Sequence, residues 1–381
     1  MKLADRMNNF PEYIFSVLDK KVAEVQKKSG RKVLSFGAGS PDFPPSKVLV
    51  KKLQEFIAEP GSHMYPGYGA IPEFSQAIKN WYKKRFAVEI DDHELFPLLG
   101  AKDGVSHLPL VMLNPGDEFL APDPGYPGFL GPALMIGAKP VFYNLTEKNN
   151  FKIDLSELER KVTKKTKFIW VNFPGNPTGQ VATLEELKTV VEFCKKHKIW
   201  LVYDNAYSEI TFGGFVAPSI LQIKGSKEVA VEIGSFSKTF SLAGFRMGWI
   251  VGNRQLIAGL SKVKSQVDSG MTKSLQKLGA YALDNFDESW HKKMIKSYEM
   301  RRDTIVENLK KIGLEAKKTK GSLYLWVKIP DECKDSEEFT GKILEEKQIL
   351  LVPGTAYGKN GRKYVRASIC VNIDDIKNYF D

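Results

Sequence analysis

Lys238 stands in the segment Ser235-Phe-Ser-Lys-Thr239, directly after an apolar run at 229–233, and Arg246 follows eight residues on inside Gly244-Phe-Arg-Met-Gly248. A lysine amine condenses with carbonyls to a Schiff base, and the aldehyde of pyridoxal 5'-phosphate is one such carbonyl. The hydroxyls of Ser235 and Ser237 and the guanidinium of Arg246 suit a dianionic phosphate. A lysine after a strand carries little by itself. Lys and Arg together number 56 in this chain, and most must be solvated surface charge.

The elements that would position Lys238 show as alternation. From about residue 46 to 285, short apolar runs alternate with amphipathic helical stretches, the pattern of a parallel sheet covered by helices. Strands are predicted at 95–99, 118–121, 140–143, 168–172, 200–203, 229–233 and 247–251. Ligands in such sheets bind beyond the carboxyl ends of the strands, so the residues after each run matter most. Gly100-Ala-Lys-Asp-Gly104 opens a helical stretch whose Ala101 and Lys102 amides offer donors to phosphate. Pro122-Asp-Pro-Gly-Tyr-Pro127 holds Tyr126 stiffly enough to stack on an aromatic ring. Phe173-Pro-Gly-Asn-Pro-Thr-Gly179 presents Asn176, whose amide can donate to a phenolate oxygen. Asp204-Asn-Ala-Tyr207 offers a carboxylate to keep a pyridine nitrogen protonated and a phenol for the neighbouring oxygen. Each loop alone is an ordinary turn, but together, in chain order, they form one chemically coherent set.

Ser235-x-x-Lys238 also matches the serine-nucleophile motif of β-lactamases and penicillin-binding proteins, with Tyr203-Asp-Asn205 and Lys28-Ser-Gly30 as faint companions. In those enzymes the serine motif comes first in the chain, whereas here it comes last. The strand-end loops supply what a pyridine ring needs and a serine hydrolase does not.

Beyond residue 286 the rhythm changes. A long charged helix is predicted over 288–311, then a strand at 322–329, a helix at 337–347 and strands at 349–352 and 365–369. These elements predict a smaller α+β domain, residues 286–381 together with 1–45, beside a large domain at 46–285. The segment before Pro44 shows no sheet pattern of its own. Thr183-Leu-Glu-Glu186 reads as a capping box starting a crossover helix that runs to about His197.

With 381 residues, 43% hydrophobic and 27% charged, the composition is that of a globular chain with ample core. The net charge of +11 comes as scattered lysine doublets, which argues for solvated helix faces and against a nucleic-acid partner. No apolar run is long enough for a bilayer and the first residues do not read as a signal peptide, so the expected location is cytoplasmic. Cys194, Cys333 and Cys370 form no C-x-x-C pair and the five histidines show no ligand spacing, so neither a disulfide framework nor a metal site is expected.

Through Tyr65-Pro-Gly-Tyr-Gly69, Asn176-Pro-Thr-Gly179, Asp204-x-x-Tyr207, Ser235-x-Ser-Lys238, Arg246 and Tyr364-Val-Arg366, the chain resembles the fold type I pyridoxal-phosphate-dependent aminotransferases of class I/II over nearly its whole length. That resemblance implies roles for matching residues. Lys238 would bind the cofactor and shuttle a proton, Asp204 would face the pyridine nitrogen, Asn176 and Tyr207 the phenolic oxygen, and Tyr126 the ring. Ser235, Ser237, Arg246 and the Ala101 and Lys102 amides would hold the phosphate. Tyr65 would reach in from the partner of a homodimer with shared sites. Arg366 would grip the substrate α-carboxylate, helped by the backbone of Gly39, and Tyr13 would contact substrate if its segment folds over the site. Relatives often carry Ser or Thr where this chain has Ala101, so one hydroxyl contact to phosphate is missing.

The implied reaction is ping-pong transfer of an amino group between an L-amino acid and a 2-oxo acid. The branch resembled contains alanine and LL-diaminopimelate aminotransferases. Alanine or glutamate is the favoured donor, with LL-diaminopimelate and aromatic or aspartate-type activities as alternatives. A β-lyase on the same cofactor and a non-enzymatic cofactor-binding regulator are more distant readings.

Overall fold

The computed structural model describes residues 1–4, 6, 7 and 14–380. Its strands, in chain order, are β1 Leu34–Ser35, β2 Leu95–Leu98, β3 Glu118–Asp123, β4 Lys139–Asn144, β5 Thr166–Asn172, β6 Trp200–Asp204, β7 Ala230–Ser235, β8 Gly248–Gly252, β9 Tyr324–Lys328, β10 Ile349–Leu350, β11 Val352–Pro353 and β12 Tyr364–Ser368. Seven of them form the central sheet in the order β2-β8-β7-β6-β5-β3-β4. From β4 to β7 every pairing is parallel, and β8 alone runs against its neighbours β2 and β7. The mostly parallel α/β sheet expected from the sequence is present, with one reversal that the alternation did not mark. Only the short helix Phe236–Thr239 and a single 3₁₀ turn separate β7 from β8. Parallel pairing needs a longer crossover, so the strand returns antiparallel.

Strands β5 to β8 are almost wholly buried, as a sheet covered on both faces requires. The helices Ala101–Met112 and Arg254–Lys264 pack on one face, around Phe96, Leu108, Phe119, Ile233 and Leu260. The other face is covered from Pro72–Phe86, Leu184–His197 and Lys273–Asp284. The predicted capping box forms at Leu184–His197. Glu186 N–H donates to Thr183 Oγ1 at 3.3 Å and Thr183 N–H to Glu186 Oε2 at 2.8 Å, a cap of about 1 kcal/mol.

In the C-terminal part, β11, β12 and β9 form a separate antiparallel sheet, with Arg366 of β12 opposite Trp326 of β9. Two expectations need correction here. The single strand expected at 349–352 is two short strands in different sheets, because at Leu351 the chain passes from pairing with β1 to pairing with β12. The segment before Pro44 also does contain a strand, since Leu34 and Ser35 pair in parallel with Ile349 and Leu350. Two residues are too few for a periodic signal, and their pairing partner lies at the far end of the chain.

Candidate active site

The ends of β5, β6 and β7, the start of helix Ala101–Met112 and Arg366 at the middle of β12 converge on one cavity of about 390 Å³. Every site residue picked from the sequence lines it except Tyr65 and Tyr13. Tyr65 is 84% exposed on the surface, and Tyr13 lies outside the described residues.

Lys238 reaches into the cavity from the helix Phe236–Thr239, its Nζ donating to Gly39 O at 2.6 Å. Burial pushes the amine down to about 8, and the nearby cations Arg366 and Arg246 act in the same direction. At that value roughly a tenth of the amine is neutral and nucleophilic at pH 7, far more than for an ordinary lysine. Gly39 meets Lys238 through its carbonyl, a contact not foreseen for it.

Asp204 ends β6. One carboxylate oxygen accepts the Ala206 N–H at 3.2 Å, and its backbone carbonyl accepts Asn172 Nδ2 at 2.9 Å. Burial raises the carboxyl to about 6, against the pull of the Ala206 N–H and Lys238. Tyr207 follows, its hydroxyl 3.1 Å from that of Tyr324, and burial lifts the phenol well above its ordinary range. It therefore stays a neutral hydrogen-bonding group.

Across the cavity Arg366 is 2% exposed. Its Nη1 donates to Asn176 Oδ1 at 3.1 Å and its Nη2 to Gly37 O at 2.6 Å. The guanidinium lies 4.1 Å from the centre of the Tyr324 ring, a cation–π contact of about 2 kcal/mol when desolvated. Among the described residues Arg366 Nε is a buried donor without a hydrogen-bond partner, the kind of group that calls for one. With Oδ1 committed to Arg366, Asn176 keeps its Nδ2 end for an acceptor.

The opposite end is built for an anion. Helix Ala101–Met112 begins here, and the first N–H groups of a helix have no acceptor within it. Gly100 precedes it at φ +82°, and a Cβ there would come within 2.5 Å of Arg246 Nη2. Glycine thus lets the turn and the guanidinium close on one another. Arg246 is anchored through Nη1 on Ala243 O at 2.8 Å. Ser235 Oγ accepts the Ser237 N–H at 3.1 Å, so it caps the lysine helix while also lining the cavity. Tyr126 lines the wall beside this end, edge-on to Phe129.

Sequence reasoning passed over Phe15, Asn172, Tyr324 and Tyr357, which also line the cavity. Tyr324 lies inside a strand and not after one. The available signal was Tyr324-x-Trp326, two aromatics with the two-residue spacing that places them on one face of β9, beside the strand of Arg366.

A lysine of lowered basicity, a buried carboxylate at one end, an anion cradle at the other and a buried, partly satisfied arginine fit pyridoxal 5'-phosphate and the carboxylate of an amino acid. This site, on a mostly parallel sheet covered by helices, defines a fold type I pyridoxal-phosphate enzyme. The aminotransferase class I and II family model matches residues 31–380, and the chain belongs to that family. It is 41% identical over 371 residues to an LL-diaminopimelate aminotransferase of Aquifex aeolicus, covering 97% of this chain and 95% of that one. To the LL-diaminopimelate aminotransferase of Halothermothrix orenii it is 39% identical over 378 residues, 99% of this chain and 96% of the relative. A substrate-bound BacF structure from Bacillus subtilis superimposes with a TM-score of 0.93 at 32% identity, covering 100% and 96% of the two chains. The chain is a pyridoxal-phosphate-dependent aminotransferase acting on amino and 2-oxo acids.

Proposed function

We propose that the enzyme transfers the amino group of LL-diaminopimelate to 2-oxoglutarate, with Arg366 holding the donor α-carboxylate and Lys238 moving the proton at its α-carbon. The observation behind the chemistry is the placement of a buried, half-satisfied Arg366 and a weakly basic Lys238 in one cavity. The relatives of 39% and 41% identity support the donor. When bound, the cofactor supplies an electron sink that makes the α-proton removable.

In this reading Ser235, Ser237, Arg246 and the Ala101 and Lys102 amides hold the phosphate. Asp204 holds a proton on the ring nitrogen, and Asn176 and Tyr207 donate to the phenolic oxygen. Tyr126 covers the ring. Tyr65, exposed in a single chain, reaches the site of the partner in a homodimer. Residues 46–285 form the cofactor-bearing domain, and residues 1–45 with 286–381 the domain that brings Arg366. Cytoplasmic location belongs to the same reading and accords with three free cysteines.

A panel of LL-diaminopimelate, alanine and glutamate against 2-oxoglutarate and pyruvate tests the donor. The largest kcat/KM is expected for LL-diaminopimelate with 2-oxoglutarate, and negligible turnover of it would refute the proposal. Arg366→Lys loses the planar fork, so donor KM is expected to rise roughly 100-fold with a smaller change in kcat. An unchanged KM would remove Arg366 from carboxylate binding.

A further inference from the structure

Lys264 is 3% exposed, at the end of the helix Arg254–Lys264, and lies outside the cavity. Its ammonium forms ion pairs with two carboxylates, Asp103 and Asp268. Asp103 belongs to the first turn of the helix that opens at Ala101, where the phosphate cradle lies. One Asp103 oxygen, Oδ2, accepts the Leu99 N–H at 2.8 Å as well as Lys264, and Oδ1 lies 2.7 Å from His107 Nδ1. The carboxylate thus ties the strand exit at Leu99 to the helix start across Gly100.

The second arm leads outward. Asp268 Oδ1 accepts the Gly270 N–H at 2.8 Å. Gly270 sits at φ +88°, and a Cβ there would stand 2.2 Å from Gly67 O. The backbone at 270 therefore lies flush against the 65–69 loop, where a side chain would not fit. Lys264 joins the cradle to a loop whose Tyr65 and Tyr68 are exposed.

We infer that Lys264 is a positioning residue for the phosphate end of the site, holding the Leu99–Asp103 turn in its anion-binding shape and coupling that shape to the 65–69 loop. The charge argument agrees with the geometry. A carboxylate in the first turn of an anion-binding helix would oppose a phosphate if left unpaired, and a buried lysine compensates it. Neither carboxylate lines the cavity, so the cluster acts through the turn and not by touching the ligand.

This inference rests on the cofactor assignment, and the experiment separates the two. Full-chain enzyme stripped of cofactor is titrated with pyridoxal 5'-phosphate and with pyridoxal, which lacks the phosphate, and binding is followed by visible absorbance. Wild type is expected to bind the phosphate ester far more tightly; its failure to do so would break the cofactor assignment itself. Lys264→Met is expected to weaken pyridoxal 5'-phosphate by roughly 10- to 100-fold, the scale of groups that orient ligand contacts from one layer back. Its affinity for pyridoxal should stay near the wild-type value, and Lys264→Arg should restore most of the loss. Unchanged affinity for the ester, or equal weakening of both compounds, would overturn the inference. Should Lys264→Met not fold, Asp268→Asn breaks only the outer arm. Faster hydrogen exchange at Gly67 and Gly69 with weaker binding of the ester is then expected, and unchanged exchange would refute the coupling.

Discussion

Replacing Lys238 with alanine is expected to abolish amino transfer, lowering kcat by roughly 10⁴-fold or more, because in the proposed function this residue is both the nucleophilic amine and the base at the substrate α-carbon. Among the described residues the cavity is lined by one other lysine, Lys102. Lys238 donates to Gly39 O from the four-residue helix that Ser235 caps, whereas Lys102 belongs to the first turn of the helix Ala101–Met112. The groups proposed to bind the phosphate are untouched, so the variant should still bind pyridoxal 5'-phosphate while forming no Schiff base with it. A coupled keto-acid assay checks the loss. Full activity in Lys238→Ala would remove the lysine from the chemistry.

The second large effect belongs to Asp204, and it has two opposite signs. In the proposed function Asp204 holds a proton on the pyridine nitrogen, so Asp204→Asn, which removes that charge, is expected to lower kcat about 10³-fold. The cofactor-free protein, by contrast, should become more stable. Burial raises this carboxyl from 3.8 to about 6, so between those values the folded chain binds more protons than the unfolded one. Stability therefore declines as pH rises through that window, and above about pH 6 the burial penalty is present in full. Relieving it at pH 8 is worth on the order of 1–3 kcal/mol. A variant that melts higher than wild type without cofactor, yet barely turns over, is the expected result. Equal melting at pH 8 would show that the carboxylate is not penalised there.

The same two residues show why so much of the site was legible in the sequence. Lys238, Asp204, Asn176 and Tyr126 all stand at or just after the carboxyl ends of apolar strands, and parallel sheets bring those ends to one edge. What was not legible lies inside regular elements or depends on distant pairing. Tyr324 is a strand residue that reads as core, and Asn172 is the last residue of a strand whose side chain braces Asp204. Lys264 is one of many lysines on amphipathic helices, and nothing local separates it from those in water. Its two carboxylate partners come together only when the helices Ala101–Met112 and Arg254–Lys264 pack. The antiparallel return of β8 likewise depends on how little chain is left for a crossover.

The change of sheet at Leu351 has a consequence for the order in which the molecule is made. Leu34 pairs with Ile349, and three residues further on Val352 pairs with Arg366 itself, so the first and last portions of the chain are stitched together beside the cavity. Contacts of such sequence separation form late, because the entropy of closing a loop that long must be met first. During synthesis the central sheet, with Lys238 and Asp204 already in place, emerges well before β12. With Lys238 and Arg366 in the roles proposed for them, a nascent chain has its reactive lysine before it has its arginine clamp, and the ability to recognise an amino acid arrives only with β12.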